Sequence, residues 1–351
     1  MDATVRDVGI DVGRGVAIVA VVGGHTLLGL HVAGIEPGGE ALALDIVRFV
    51  YLWHVPVFCF LAGLFIPASL SRVGAPGYLR RRVVELAYLY LVWTVIMGLA
   101  AVLVGDAKNL RRPWWSPVLI WQPQGHLWFL PLFVIGVLVV TAVRAQPVGL
   151  RVACLVAFIG LALAAWGVEI PLIGGSGVAM LAFLLAGGLV GARRWNELTV
   201  ARSAWTLGCV AGLGIMGAAL AAWGTRATLA TTADAERTPQ TIALGVLGTL
   251  LGAAGVLAAS VLIGRWPTIA RPLAYLGRFS LAIYLAHILF TAGARIVLLR
   301  LRVDDPWWHL GAGVIAGVLG PLVLVRLAPG FPLFGLPGRA RQRAEPRHRD
   351  A

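Results

Sequence analysis

The chain has 351 residues, of which 59% are hydrophobic and only 13% charged, with a mean hydropathy of +0.86. No ordinary soluble domain has that composition, so the sequence is that of an integral membrane protein. Its formal net charge of +13 reads as membrane topology and contact with anionic lipid rather than as a nucleic-acid partner.

Crossing a hydrocarbon core of ~30 Å takes about 20 apolar residues. About ten such runs follow one another, at 15–33, 47–67, 83–104, 126–143, 151–168, 174–192, 204–223, 241–263, 279–299 and 308–327, by the hydropathy criterion. The runs are continuous rather than alternating, which favours helices over barrel strands. The expected fold is an all-α, multi-pass transmembrane bundle of about ten helices. No internal repeat and no loop long enough for a separate soluble domain is visible. One membrane domain is therefore expected over 1–335, with a short basic tail over 336–351.

The first run carries Arg14 and His25. Eleven residues are about three helical turns, so the two side chains share a face, ~16 Å apart along the axis. A cleaved signal peptide would not carry such a face, so this segment is expected to be retained. An ionisable ring within an apolar helix is a functional candidate by default. In the second run, Trp53-His54-Val-Pro56-Val-Phe-Cys-Phe-Leu-Ala-Gly63 places another histidine beside a proline that removes a backbone donor, and a glycine that allows a neighbour close. His287 lies within the ninth run. Each of these rings alone also fits a helix-to-helix hydrogen bond; three at related depths point to one interior site.

Loop charges give an orientation. Arg72 and Arg80 to Arg82 follow the second run, Arg144 and Arg151 the fourth, Arg193, Arg194 and Arg202 the sixth, and Arg265, Arg271 and Arg278 the eighth. All fall on one side, together with the arginines of the tail, so both termini are expected in the cytoplasm. Cys59, Cys154 and Cys209 lie in apolar runs without metal-type spacing, which predicts neither disulfide nor metal.

Four ordered motifs resemble those of a known family. They are Asp11-x-x-Arg14-Gly15-x-Ala17 with the Arg14-x10-His25 spacing; His54-Val-Pro56-Val-Phe58-x-Phe60-Leu61-x-Gly63; Gly125-His126-Leu-Trp128-Phe129-Leu130; and Gly277-Arg278-Phe-Ser280-Leu-Ala-Ile-Tyr284-Leu285-Ala-His287. Together they are similar to the acyltransferase-3 family of membrane O-acyltransferases, in particular its fucose 4-O-acetylase-like branch without an appended hydrolase domain. One motif departs from the pattern. Arg80-Arg81-Arg82-Val-Val-Glu85 puts Glu where the family has the second Arg of an Arg-x-x-Arg pair, and Leu89-Tyr90 stands for its Pro-Tyr.

The resemblance implies transfer of an acyl group, usually acetyl, from cytoplasmic acyl-CoA to a hydroxyl of a sugar, a lipid-linked glycan or a related acceptor, within a bacterial cytoplasmic membrane. Acetyl-CoA would be the donor substrate, with no metal. Phosphates need cations at the cytoplasmic mouth, and Arg14, Arg80, Arg81 and Arg82 are the candidates. His25, Arg14 and His54 form the candidate catalytic set. His25 would act as general base on the acceptor hydroxyl, or as a covalent acyl relay. Asp11, Trp128, Tyr284 and His287 are candidates on the acceptor side, although Asp11 also fits a plain ion pair with Arg14, and His126 and Trp128 read more simply as interface anchors. The alternative is a multi-pass secondary transporter, which would also show embedded histidines and Gly-broken helices. The inverted repeat such a protein would show is not visible. An intramembrane protease built on Gly174-Gly-Ser176-Gly177 lacks a histidine at matching depth.

Overall fold

The computed structural model describes residues 7–104, 115, 118–328 and 331–336. The fold is all-α. In chain order the helices are α1 (Val8–Val32), α2 (Glu40–Leu64), α3 (Ile66–Val104), a 3-10 turn at Gly125–Trp128, α4 (Phe129–Arg144), α5 (Val148–Ala164), α6 (Met180–Val200), α7 (Ala204–Ala222), α8 (Pro239–Ile263), α9 (Pro267–Arg278), α10 (Ser280–Arg300) and α11 (Pro306–Leu327). Among the described residues, eight spans are long and apolar enough to cross a membrane.

Local chemistry starts and bends these helices. The Asp7 carboxylate caps α1 by accepting from the Ile10 N–H at 3.2 Å, and burial pushes this carboxyl above its ordinary range. Thr238 and Thr241 form a reciprocal capping box on α8, with Pro239 in the first turn, where its missing N–H costs nothing. Helix α2 runs through Pro56. Helix α3 is broken at Gly74 and α6 at Gly191. Gly191 has φ +73°, a left-handed conformation that glycine adopts without strain.

Three sequence expectations change in detail. The run at 151–168 becomes the 17-residue α5, short for a span. Over 171–179 the chain makes bends and turns, and helix begins only at Met180; a cluster of glycines there favours turns over helix. The basic segment after α8, expected as a loop, forms α9. This helix buries Ala270, Ala274 and Gly277 and leaves Arg271 and Arg278 exposed, the pattern of a helix lying at the membrane surface.

Cross-contacts sort the helix ends into two groups. At one end Arg265 donates to the Arg202 carbonyl (2.6 Å) and Arg326 to the Tyr275 hydroxyl (3.0 Å). At the other Arg48 donates to the Ala222 carbonyl (3.1 Å) and Arg237 to the Trp166 carbonyl (2.7 Å). The basic loops meet at the first end, called here the basic end.

Helix α1 is central and packs against α2, α8, α9, α10 and α11. It meets α9 backbone to backbone, Gly15 against the Leu273 carbonyl and Gly277 against the Asp11 carbonyl. Helix α2 meets α6 similarly, through Gly63 and Gly187. Helices α1 and α10 run parallel and are tied twice. The Arg14 guanidinium donates to the Ser280 hydroxyl at 3.0 Å, and that of Arg295 donates to the Gly29 carbonyl. Beyond α11 the segment 331–336 folds back on α3: Tyr88 donates to the Pro332 carbonyl (3.1 Å), the Trp93 indole to the Leu333 carbonyl (2.7 Å), and Trp93 packs on Phe334 with ring centroids 5.7 Å apart.

Candidate active site

Helix α10 carries Ser280, Tyr284, His287, Thr291 and Arg295, at intervals of four, three, four and four residues. This spacing sets them on one face from end to end. All are buried except Tyr284, which is half-buried. Helix α1 lays Arg14, His25 and Gly29 alongside. A third element closes the group: Gly125, at φ +53°, turns the chain into the 3-10 turn and so delivers His126.

Three imidazoles meet there. Ring centroids are 5.2 Å apart for His25 and His287, 4.9 Å for His126 and His287, and 6.3 Å for His25 and His126. Tyr51 lies against His25, its hydroxyl 3.2 Å from Nδ1. Tyr284 sets its edge on His126 at 5.0 Å and donates its hydroxyl to the His126 carbonyl. His126 and His287 are buried, whereas His25 keeps partial exposure. Of the three, His25 has the most accessible surface.

Hydrogen bonds fix two of the tautomers. His287 Nδ1 faces the Ile283 and Tyr284 carbonyls at 3.1 and 2.7 Å. A carbonyl oxygen only accepts, so Nδ1 carries the proton, and Nε2 of the neutral ring is a bare lone pair. That nitrogen is buried and has no hydrogen-bond partner among the described residues. His126 is held in the opposite sense, with Nε2 facing the Leu285 carbonyl at 3.3 Å. The cluster thus offers proton-accepting nitrogens on two buried rings, Nε2 of His287 and Nδ1 of His126. Among the described residues no group of His, Cys, Asp or Glu has the arrangement to hold a metal ion.

The structure brings together some of the residues expected from the sequence and separates others. His25, His287 and Tyr284 share the cluster, and Arg14 joins its basic end through Ser280. His54 stands aside: Nδ1 donates to the Val50 carbonyl of its own helix at 2.8 Å, and the ring packs on Tyr51 at 4.8 Å. It meets the cluster through that tyrosine. Trp128 points elsewhere and packs on Gly177 in the turn before α6. Asp11 is 3% exposed, one turn from Arg14, with its backbone against Gly277. His126, expected as an interface anchor, is instead one of the three rings. Tyr51 was hidden within an apolar run; its place one turn before His54 was the available signal.

The cations divide into separate groups. Arg14 is on α1, whereas Arg80, Arg81 and Arg82 are on α3, which packs chiefly on α4. Arg80 and Arg81 are exposed. Arg82 is paired with the buried Glu85 at 3.0 Å and lies over the Phe133 ring at 5.4 Å. Glu85 thus neutralises a neighbouring arginine. A cleft of about 570 Å³ at the same end is lined by Ser71, Arg144, Arg193, Arg194 and Glu197. Hydrogen bonds from Arg193 and Arg194 hold the Glu197 carboxyl below its ordinary range, so the charge of this cleft is partly cancelled from within.

Compared with models of known families, residues 7–326 match that of an acyltransferase domain. Comparison with curated proteins and with solved structures gave no match.

Proposed function

The chain belongs to the acyltransferase-3 family, and from that premise we propose that it moves an acetyl group from cytoplasmic acetyl-CoA to a hydroxyl of a sugar, glycan or glycolipid, as the fucose 4-O-acetylase-like branch does. The observation that carries this reading is the partly exposed His25 ring, set against two buried imidazoles and a tyrosine and on the same α1 and α10 faces as Arg14. The basic end faces the cytoplasm of a bacterial cell and admits the donor. Arg14, with Arg80 and Arg81 as outer cations, meets its phosphates through paired N–H donors.

His25 takes the proton of the acceptor hydroxyl as the oxygen attacks the thioester carbonyl carbon. The new C–O bond forms, the C–S bond breaks, and CoA leaves as a thiolate that regains a proton. Tyr51 orients the His25 ring through Nδ1. His126 and His287 keep the surroundings polar and supply lone pairs that receive the proton onward. Water is kept out by the helices, which protects the acyl group from hydrolysis.

The test is transfer of labelled acetyl from acetyl-CoA by the purified full-length protein. His25→Ala should lower kcat by about 10²- to 10⁴-fold, the usual contribution of a general base, with the protein still folded in the membrane fraction. Full turnover by that variant refutes the role. Arg14→Ala should raise KM for acetyl-CoA more than it lowers kcat.

A further inference from the structure

The cleft of about 570 Å³ at the basic end belongs to α3, α4 and α6, apart from the imidazole cluster, and no step above uses it. It forms where α6 breaks. Gly191 leaves the helical conformation, and carbonyls that precede such a break lose the partners an unbroken helix supplies. Arg144, at the end of α4, donates from Nη1 to two of them, those of Gly188 and Leu189, at 2.9 and 3.5 Å. Both bonds use one nitrogen. Arg144 also lines the cleft, and among the described residues its Nη2 and Nε make no hydrogen bond and are not sealed from the surface. Arg193 and Arg194 follow the break and line the same cleft, their side chains 95% and 66% exposed. They share a single carboxylate, that of Glu197, at 3.1 and 3.4 Å. Three guanidinium groups against one carboxylate leave two positive charges in the cleft. Beside them the lining is apolar, through Pro67 and Val190.

The surroundings are those of a membrane boundary. Helix α5 packs on α4 and α6 and turns Val148, Val152 and Val156 outward, 71%, 56% and 63% exposed. Their spacing of four residues makes one continuous apolar face, the kind that meets lipid. A cationic cleft with an apolar wall, next to a lipid-facing helix, matches a molecule that is anionic at one end and apolar at the other. We propose that this cleft binds the headgroup of an anionic phospholipid from the leaflet at the basic end, with Arg144, Arg193 and Arg194 around its phosphodiester. Guanidinium forks suit phosphate oxygens, and basic pockets between membrane helices take anionic headgroups in this way. A zwitterionic headgroup brings its own ammonium, which the two remaining positive charges repel. The site is independent of the transferase reading and holds whatever the substrate.

The test measures binding of phosphatidylglycerol and of phosphatidylcholine, with identical acyl chains, to the purified full-length protein by native mass spectrometry. The wild type should bind one phosphatidylglycerol about tenfold or more tighter than phosphatidylcholine. Replacing both exposed cations, Arg193→Gln with Arg194→Gln, should abolish the preference, whereas Arg193→Lys with Arg194→Lys, which keeps the charge but lacks the fork, should reduce it without abolishing it. Arg271→Gln with Arg278→Gln, which removes the same charge from α9 at the same end, should leave it intact. Equal binding of the two lipids by the wild type, a preference that survives the paired glutamine substitutions in the cleft, or one lost equally on α9, overturns the proposal. Inorganic phosphate and acetyl-CoA are added as competitors. Displacement of the lipid by either at a concentration equal to that of the lipid would make the cleft a site for soluble anions and also overturns it.

Discussion

At the scale of single residues, the two fixed tautomers make different demands on substitution. In His287→Asn the amide N–H can take over donation to the Ile283 and Tyr284 carbonyls, but nothing replaces the Nε2 lone pair. If that lone pair receives the proton, activity should fall about tenfold or more through kcat, with thermal stability within about 1 kcal/mol of wild type. Equal kcat in the two proteins would reduce His287 to packing. Part of this site was legible in the sequence. His25 and His287 stand out as ionisable groups inside apolar runs, because hydropathy registers the cost of such groups. His126 does not, because it opens its run, and a polar residue at a helix end has a sufficient explanation at the interface. Its role depends on the 3-10 turn and on the neighbour across from it, which are tertiary facts. Trp128 shares the motif, yet two residues along a 3-10 turn carry it to another face, against Gly177.

At the scale of helices, glycines set how closely the backbones approach. Gly277 faces the Asp11 carbonyl without room for a Cβ, so Gly277→Ala should force α9 off α1. The expected cost is about 1–3 kcal/mol, as for overpacking elsewhere. Because Asp11 and Gly15 flank Arg14, the same change should raise KM for acetyl-CoA. Thermal unfolding in detergent and initial-rate kinetics check the two parts, and an unshifted midpoint would show that α9 is not held there. Apolar length predicted most of the helices well. It missed α9, whose apolar face is too short for a hydropathy window, and it extended a span across 174–179, where average hydropathy says nothing about the turns that the glycines favour. The broken α6 and the kinked α3 follow from glycine φ angles, and composition alone does not show which glycine breaks a helix.

At the scale of the whole molecule, the end of the described chain belongs to the packed body. Segment 331–336 gives two carbonyls to donors on α3, the half-buried Tyr88 and the buried Trp93, and Phe334 packs on Trp93, which is 1% exposed. Phe334→Ala should therefore destabilise the protein by about 1–3 kcal/mol and raise protease sensitivity after α11; unchanged digestion would show that the segment is only laid on the surface. The expected basic tail at 336–351 lies outside the described residues apart from Leu336. The reciprocal ties between α1 and α10 have a mechanical consequence. Arg14 reaches from α1 into α10, and Arg295 reaches back from α10 into α1, each spanning 266 positions in sequence. Two pins with the same offset forbid sliding and rocking, so the pair behaves as a single splint that holds His25 and His287 in fixed relation. Helices pinned at both ends resist moving past one another, the movement on which an alternating-access carrier depends.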